Sequence, residues 1–140
     1  MRVLAVDHGE QRIGLAISDP TGTIANPLTV IKHVSRALDA AQVAAIASEH
    51  NAGSIVVGQS FDEDGRPNLA GRRAARFAKA LEEQTGLPVE LWDEALSTQK
   101  ARSARIQMGV SRKQRAGHLD QLAATVILQS YLDAQTSKET

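Results

Sequence analysis

Val3-Leu4-Ala5-Val6-Asp7-His8-Gly9, followed by Arg12-Ile13-Gly14-Leu15-Ala16-Ile17-Ser18-Asp19, decides how the rest of the chain is read. The first run is apolar and stops on a carboxylate, which describes a short buried strand with an acid at its C-terminal mouth. His8-Gly9-Glu10-Gln11 turns the chain back. In the returning run Ile13, Leu15 and Ile17 fall on one face and Gly14, Ala16 and Ser18 on the other, the period of a strand. A carboxylate at the tip of a central strand, beside a tight glycine turn, is where an enzyme would place a metal ligand.

Asp19-Pro20-Thr21-Gly22 is a turn, and a third strand is expected from Leu28 to Ile31, completing an antiparallel meander. Ser35 can cap a helix reaching Glu49, with Leu38, Ala41, Ala45, Val43 and Ile46 as its buried stripe. Asn51-Ala52-Gly53 stops that helix. Ile55-Val56-Val57 is apolar throughout and ends at Gly58, which suits a strand covered on both faces of a parallel sheet. An exposed polar loop, Phe61 to Asn68, leads into a helix from Asn68 to Gln84. Ala70, Ala74, Phe77, Ala78 and Leu81 line its inner face, and Gly86 and Pro88 end it. Val89 to Trp92 is a fifth strand running into Asp93-Glu94. Ser97 can cap another helix, closed by Gly109. Arg112 to Gly117 reads as a basic linker, His118 to Ala134 as the last helix, and Gln135 to Thr140 as a frayed polar tail. No internal repeat or linker divides the chain, so residues 1–134 form one domain. Three antiparallel strands, then two parallel ones joined through helices, make a mixed five-stranded α/β sheet with helices on both faces. That is the ribonuclease H-like arrangement.

The composition narrows the function. The chain has 140 residues and no cysteine, which rules out thiolate metal sites and cysteine nucleophiles and fits a reducing cytoplasm. No apolar stretch approaches the roughly 20 residues that span a bilayer. Aromatic residues are only 3% of the chain, too few for a base-stacking platform. Net charge is zero, with 16 basic and 16 acidic residues, but the charge is segregated. Gly65 to Leu81 carries Arg66, Arg72, Arg73, Arg76 and Lys79 and no acid; Ala95 to Leu119 carries Lys100, Arg102, Arg105, Arg112, Lys113 and Arg115 and no acid. Such a chain can bind a polyanion on one side. We expect Arg12, Arg72, Arg73, Arg76, Lys100, Arg112, Lys113 and Arg115 to hold a nucleic-acid backbone, with affinity that falls as salt rises. The same pattern also fits two solvated helix faces, and Arg12 can equally pair with Asp19 or Glu10.

Asp120 is the anomaly of the last helix. Ala123, Ala124, Ile127 and Tyr131 stand at helical spacings from it, so the acid lies on or beside an inward face. A buried carboxylate needs a cation or donors; stabilisation by the helix dipole is the plainer account. Parallel strands carry their C-terminal tips to one edge, where ligand sites form. Asp7 and Glu94 both end predicted strands and can converge there with Asp120. Carboxylates without His or Cys clusters select Mg²⁺ or Mn²⁺, and a two-metal pair is suited to phosphodiester hydrolysis by water. Asp62 and Asp64 are substitutes for Glu94. His8 should point to the opposite face from Asp7, Asp93 away from Glu94, and Trp92 into the core. His118, two residues before Asp120, is the better histidine for assisting proton transfer.

Asp7-His8-Gly9-Glu10-Gln11-Arg12-Ile13-Gly14-Leu15-Ala16, Val56-Val57-Gly58, Asp93-Glu94-Ala95-Leu96-Ser97-Thr98 and Leu119-Asp120-Gln121-Leu122-Ala123-Ala124 together resemble the YqgF/RuvX family. The resemblance covers nearly the whole chain. It implies a ribonuclease H-like fold related to the RuvC resolvases, and an activity either as the nuclease trimming the 5′ end of precursor 16S ribosomal RNA or as a Holliday junction resolvase. The family's acidic positions fall on Asp7, Glu94 and Asp120. Two positions depart from the family pattern: Ala95 stands where Arg is usual, and Gln59-Ser60 where Leu-Pro or similar is usual. Both lie near the expected site and bear on substrate binding. The implied partner is structured RNA or branched DNA, with no membrane; a homodimer would suit symmetric cutting of a four-way junction. Two other readings compete. Asp7-His8-Gly9 before a returning hairpin also resembles the first phosphate loop of actin-like ATPases and sugar kinases, which need a second lobe. A non-catalytic nucleic-acid module would use the same fold and basic faces without hydrolysis.

Overall fold

The computed structural model describes residues 1–96 and 112–139, the side chains of 112–121 and 137–139 excepted. The expected helix from Ser97 to Gly109, with Lys100, lies outside the described residues. Five strands, β1 (Arg2–His8), β2 (Arg12–Ser18), β3 (Ala25–Lys32), β4 (Ala52–Gln59) and β5 (Val89–Asp93), form one sheet in the order β3-β2-β1-β4-β5. The first three pair antiparallel, while β1–β4 and β4–β5 pair parallel. Helices α1 (Arg36–Glu49) and α2 (Leu69–Thr85) cover one face, and α3 (Arg112–Glu139) covers the other. The mixed sheet between helices is the arrangement expected from the sequence.

Alternation along β1 sorts the two cores. Leu4 and Val6 pack with Val43 of α1 and Phe77 and Leu81 of α2. Val3 and Ala5 pack with Ala124, Ile127 and Leu128 of α3. The uninterrupted apolar run in β4 has the same cause: Ile55 and Val57 serve the first core and Val56 the second, all fully buried.

Several boundaries differ from expectation. β3 begins at Ala25, three residues early, and contains Pro27. It is an edge strand, so the missing N–H costs no central ladder bond. β4 begins at Ala52, because Asn51 alone takes the left-handed conformation (φ 55°) that leaves α1. The buried stripe of α1 is Asp39, Ala40, Val43 and Ala47, whereas Leu38 is 60% exposed and Ala41 and Ala45 also face out. The helix is turned inward on Asp39, which accepts a 2.9 Å bond from the Val34 N–H and pairs with His33 Nδ1. In α2, Ala70 is exposed and Gly71 is the buried residue of the first turn. The expected basic linker from Arg112 to Gly117 is helical and opens α3, as befits a run of Arg, Lys, Gln and Ala with one glycine. Residues 135–139, expected to fray, continue that helix, and Thr136 Oγ1 donates to the Leu132 carbonyl. No helix among the described residues is long and apolar enough to cross a membrane.

Candidate active site

Asp7 follows Val3 and Ala5 on the α3 face of β1, one step before the strand ends, and is half-buried. Its cross-strand partner is Gly14, which carries no side chain to compete for the space beside it. On the other side, Ala5 pairs with Val56 and Val6 with Val57, so the continuing register sets Asp7 beside Gly58. Gly58 shares the face of Val56. A Cβ built on it would stand 2.9 Å from Glu94 Oε1, 3.0 Å from Glu94 Cγ and 2.7 Å from Ile127 Cδ1. The bare backbone at Gly58 therefore lets the Glu94 side chain lie across the tip of β4, on the face that carries Asp7.

Glu94 reaches this position from a short 3₁₀ turn, Glu94–Leu96, directly after β5. Asp93 holds the turn: its Oδ1 accepts a 2.9 Å bond from the Ala95 N–H. Asp93 is thus a positioning residue for its neighbour. Trp92 pairs with Gly58 across the ladder, and its indole N–H donates to Ser130 Oγ at 3.1 Å. The ring also meets Tyr131 edge-on at 5.4 Å. Trp92 is half-buried and fastens β5 to α3. Tyr131, covered and donating to Glu90, has its phenol pushed up to about 12.

Asp120 lies on α3, one helical turn before Ala124, which is fully buried against the same face. The Asp120 side chain lies outside the described residues, as do those of His118, Arg112, Lys113 and Arg115. Among the described residues, no group of three His, Cys, Asp or Glu side chains is gathered for a metal. Those residues do bring two carboxylates, Asp7 and Glu94, to one face at the C-terminal edge of the sheet. Among the described residues, both are oxygen donors without a sulfur or imidazole cluster beside them, a set that fits a hard divalent cation.

Of the two substitutes for Glu94, Asp62 is engaged in its own loop. Asp62 Oδ1 accepts from the Asp64 and Arg66 N–H groups, closing the loop after β4 on itself. Gln59, read from sequence as lying near the site, alternates to the α2 side, where its Nε2 donates to the Gly71 carbonyl at 3.1 Å. Ser60 Oγ donates to Asn68 Oδ1, and the same oxygen accepts from the Gly71 N–H as the cap of α2. The Gln59-Ser60 departure is therefore a clamp on the start of α2. Ala95 is exposed and borders an open hollow of about 500 Å³ with Glu94 and the 60–65 loop.

The basic residues separate. Arg12 is exposed at the start of β2, on the same rim as Asp7. Glu10 meets Arg73 at 3.2 Å. Asp19 accepts from the N–H groups of Ile24 and Thr23 and from the Thr21 hydroxyl, which hold its carboxyl well below the usual range. Arg72, Arg73 and Arg76 belong to α2, over the opposite face from Asp7. Arg72 Nη1 donates to the Pro67 carbonyl. His8 also turns to that face, as expected, and stacks on Phe77 at 4.6 Å. Sequence reasoning missed three groups: Arg36, the His33–Asp39 pair and the spatial role of Gly58. For Gly58, a glycine ending a fully apolar strand was the available signal.

The RuvX family model, described as Holliday junction resolvase, matches residues 1–134. A relative from Anaeromyxobacter sp. (strain Fw109-5) is 43% identical over 135 residues, covering 96% of this chain and 98% of its own. One from Thermoanaerobacter pseudethanolicus (strain ATCC 33223 / 39E) is 40% identical over 139 residues, covering 99% and 100%. Both bear the name "Putative pre-16S rRNA nuclease". Among solved structures, T. thermophilus RuvC in complex with a Holliday junction substrate aligns with a TM-score of 0.65 at 18% identity, over 98% of this chain and 96% of that one. Fowlpox virus resolvase with its Holliday junction DNA gives 0.61 at 13% identity, over 96% and 99%. At those identities the structures speak for the fold, and the fold is that of RuvC. A family model spanning residues 1–134, and relatives about 40% identical along their full length, place the chain in the RuvX family.

Proposed function

We propose that this protein is a divalent-metal-dependent endonuclease for structured nucleic acid, acting at the 5′ end of precursor 16S ribosomal RNA. Family membership carries the general class, a hydrolase of phosphodiester bonds. The observation that supports the site is the folding of Glu94 over Gly58 onto the face of Asp7. In this reading Asp7, Glu94 and Asp120 hold Mg²⁺ or Mn²⁺. A bound ion would supply water of lowered pKa as the nucleophile. The carboxylates set where the cation sits, Asp93 fixes the turn that presents Glu94, and Arg12 on the same rim steadies the backbone. Lys100, Arg112, Lys113 and Arg115, basic residues of the acid-free stretch from Ala95 to Leu119, would add to that hold on the backbone. The relatives' name supplies the ribosomal substrate; the family description supplies the second reading, cleavage of a four-way DNA junction, for which two copies of the chain would act together. Either activity belongs in the cytoplasm.

The test is cleavage of a precursor 16S 5′ end and of a four-way junction, each with Mn²⁺ and with chelator. Asp7→Asn, Glu94→Gln and Asp120→Asn should each abolish cleavage while leaving nucleic-acid binding in chelator intact. Cleavage that survives all three substitutions ends the metal-site reading. Binding without cleavage of either substrate in Mn²⁺ would make the chain a non-catalytic module of the same fold.

A further inference from the structure

Across the sheet from Asp7, the β1–β2 turn, the start of α1 and the exposed side of α2 surround a cavity of about 550 Å³. Arg36, Arg73 and Arg76 line it with His8, His33 and Glu10. These guanidinium groups come from two helices well separated in sequence, yet they converge on one concavity. A solvated helix face would have no reason to gather them. Neither Arg36 nor Arg76 forms an ion pair among the described residues. Arg36 is the first residue of α1, so the positive end of a 14-residue helix meets the same space. Two walls are fixed. His8 is stacked on buried Phe77, and His33 is held by buried Asp39. Burial, and then the neighbouring His33, hold the His8 imidazole below its ordinary pKa.

Glu10 is the acidic residue of the lining, 3.2 Å from Arg73. Both side chains are largely exposed, at 44% and 78%, so the pair is weak and easily exchanged for a stronger anion.

We propose that this cavity binds a phosphate group, with Arg36, Arg73 and Arg76 as its donors and Glu10 as the internal carboxylate the phosphate displaces. Guanidinium forks match phosphate oxygens two at a time. Two sources offer this chemistry. One is a backbone phosphate of a nucleic acid that rounds the β1–β2 turn. Asp7 and His8 are successive residues on opposite faces, so a strand that rounds the β1–β2 turn passes both the rim and the cavity. The other is a phosphomonoester, free or at a chain end. The site stands apart from the metal reading, because it shares no side chain with it.

The test uses the full chain carrying Asp7→Asn, in chelator, so that no cleavage occurs. The first arm measures binding of a labelled RNA stem-loop with 5′-hydroxyl ends by fluorescence anisotropy across salt concentration. The second titrates adenosine 5′-monophosphate while the His8 and His33 imidazole resonances are followed by NMR. Arg36→Ala, Arg73→Ala and Arg76→Ala should each weaken at least one ligand about tenfold, the value of one charge-assisted contact. Glu10→Gln should tighten it about two- to fivefold. Arg2→Ala, at the other end of β1, removes the same charge and should change neither arm. Thermal unfolding verifies that each variant is folded. Weakening in the first arm alone assigns the backbone source, and in the second alone the monoester. Unchanged binding in both arms overturns the proposal. So does an Arg2→Ala effect as large as that of Arg76→Ala, which would reduce the site to diffuse charge.

Discussion

Gly58→Ala is the sharpest test of how the rim is built. The added methyl carbon would stand 2.9 Å from Glu94 Oε1 and 2.7 Å from Ile127 Cδ1. Ordinary contacts lie at about 3.5–4.0 Å, so each neighbour must retreat by roughly 1 Å. Overpacking of this kind costs about 1–3 kcal/mol. In a domain of this size each kcal/mol lowers Tm by about 2–4 °C, so a drop of roughly 2–12 °C is expected in calorimetry. The functional effect should be the larger one. A displacement of about 1 Å in a positioned catalytic group can cost about 100-fold in rate. Adding Ile127→Val removes Cδ1, the apolar half of the clash, and should restore part of the stability while leaving Glu94 displaced. Single-turnover cleavage in Mn²⁺, read beside Tm for wild type, single and double variants, separates the two losses. If activity returns with stability in the double variant, or Gly58→Ala cleaves like wild type, the contact between Gly58 and Glu94 does not organise the site.

Other outcomes follow from contacts elsewhere. A methyl at Gly71 would stand 2.0 Å from the Ser60 carbonyl oxygen, a backbone atom that cannot swing aside, whereas one at Gly53 meets only the flexible Met1 side chain at 2.3 Å. Gly71→Ala should cost about 3 kcal/mol or more and Gly53→Ala well under 1 kcal/mol, read by urea unfolding. Asp39→Ala leaves the Val34 N–H without its 2.9 Å acceptor and should cost about 1–3 kcal/mol, while Asp39→Asn recovers part of it. The pH profile has a definite sign. His8 has a folded pKa below the ordinary 6.5, so its stabilising effect is complete above pH 6.5. It is lost as pH falls from there toward the folded value, because the unfolded chain takes up the proton first. Tm should therefore slope downward on acidification below pH 6.5, and His8→Gln should flatten that slope. Asp19 adds a separate loss below its ordinary value of 3.8, which Asp19→Asn should remove.

What the sequence revealed depended on how local the signal was. The abrupt end of Val3–Val6 on Asp7, and the clean alternation of Ile13, Leu15 and Ile17, are nearest-neighbour patterns, and both strands fall where they predict. The start of α2 near Asn68 and its stop at Gly86 are legible for the same reason, and the structure makes Asn68 the cap. The face of α1 differs from its apolar pattern because an acid, Asp39, turns inward. Asp39 points in only because His33 and the Val34 N–H await it there, and that contact belongs to tertiary structure. α3 starts earlier than its apolar pattern because a charged, glycine-containing run looks like a linker until a sheet face gives the helix after it something to cover. At the rim, the acids at Asp7 and Glu94 were legible as strand ends. The vacancy at Gly58 that brings one over the other was not, since it depends on the ladder between β1, β4 and β5. The division of the basic residues between the two faces was hidden for the same reason.

The first strand places a carboxylate and an imidazole on consecutive residues, one for each side of the sheet. Adding or deleting a single amino acid between Val3 and Asp7 would exchange their destinations. The acid would be driven against Phe77, and the imidazole would arrive at the edge prepared for cations. Substitution in this segment can be graded, but a change in its length cannot. Among variants of this chain that remain active, the spacing from Val3 to Asp7 should tolerate no insertion or deletion, even where the identities of the intervening residues drift.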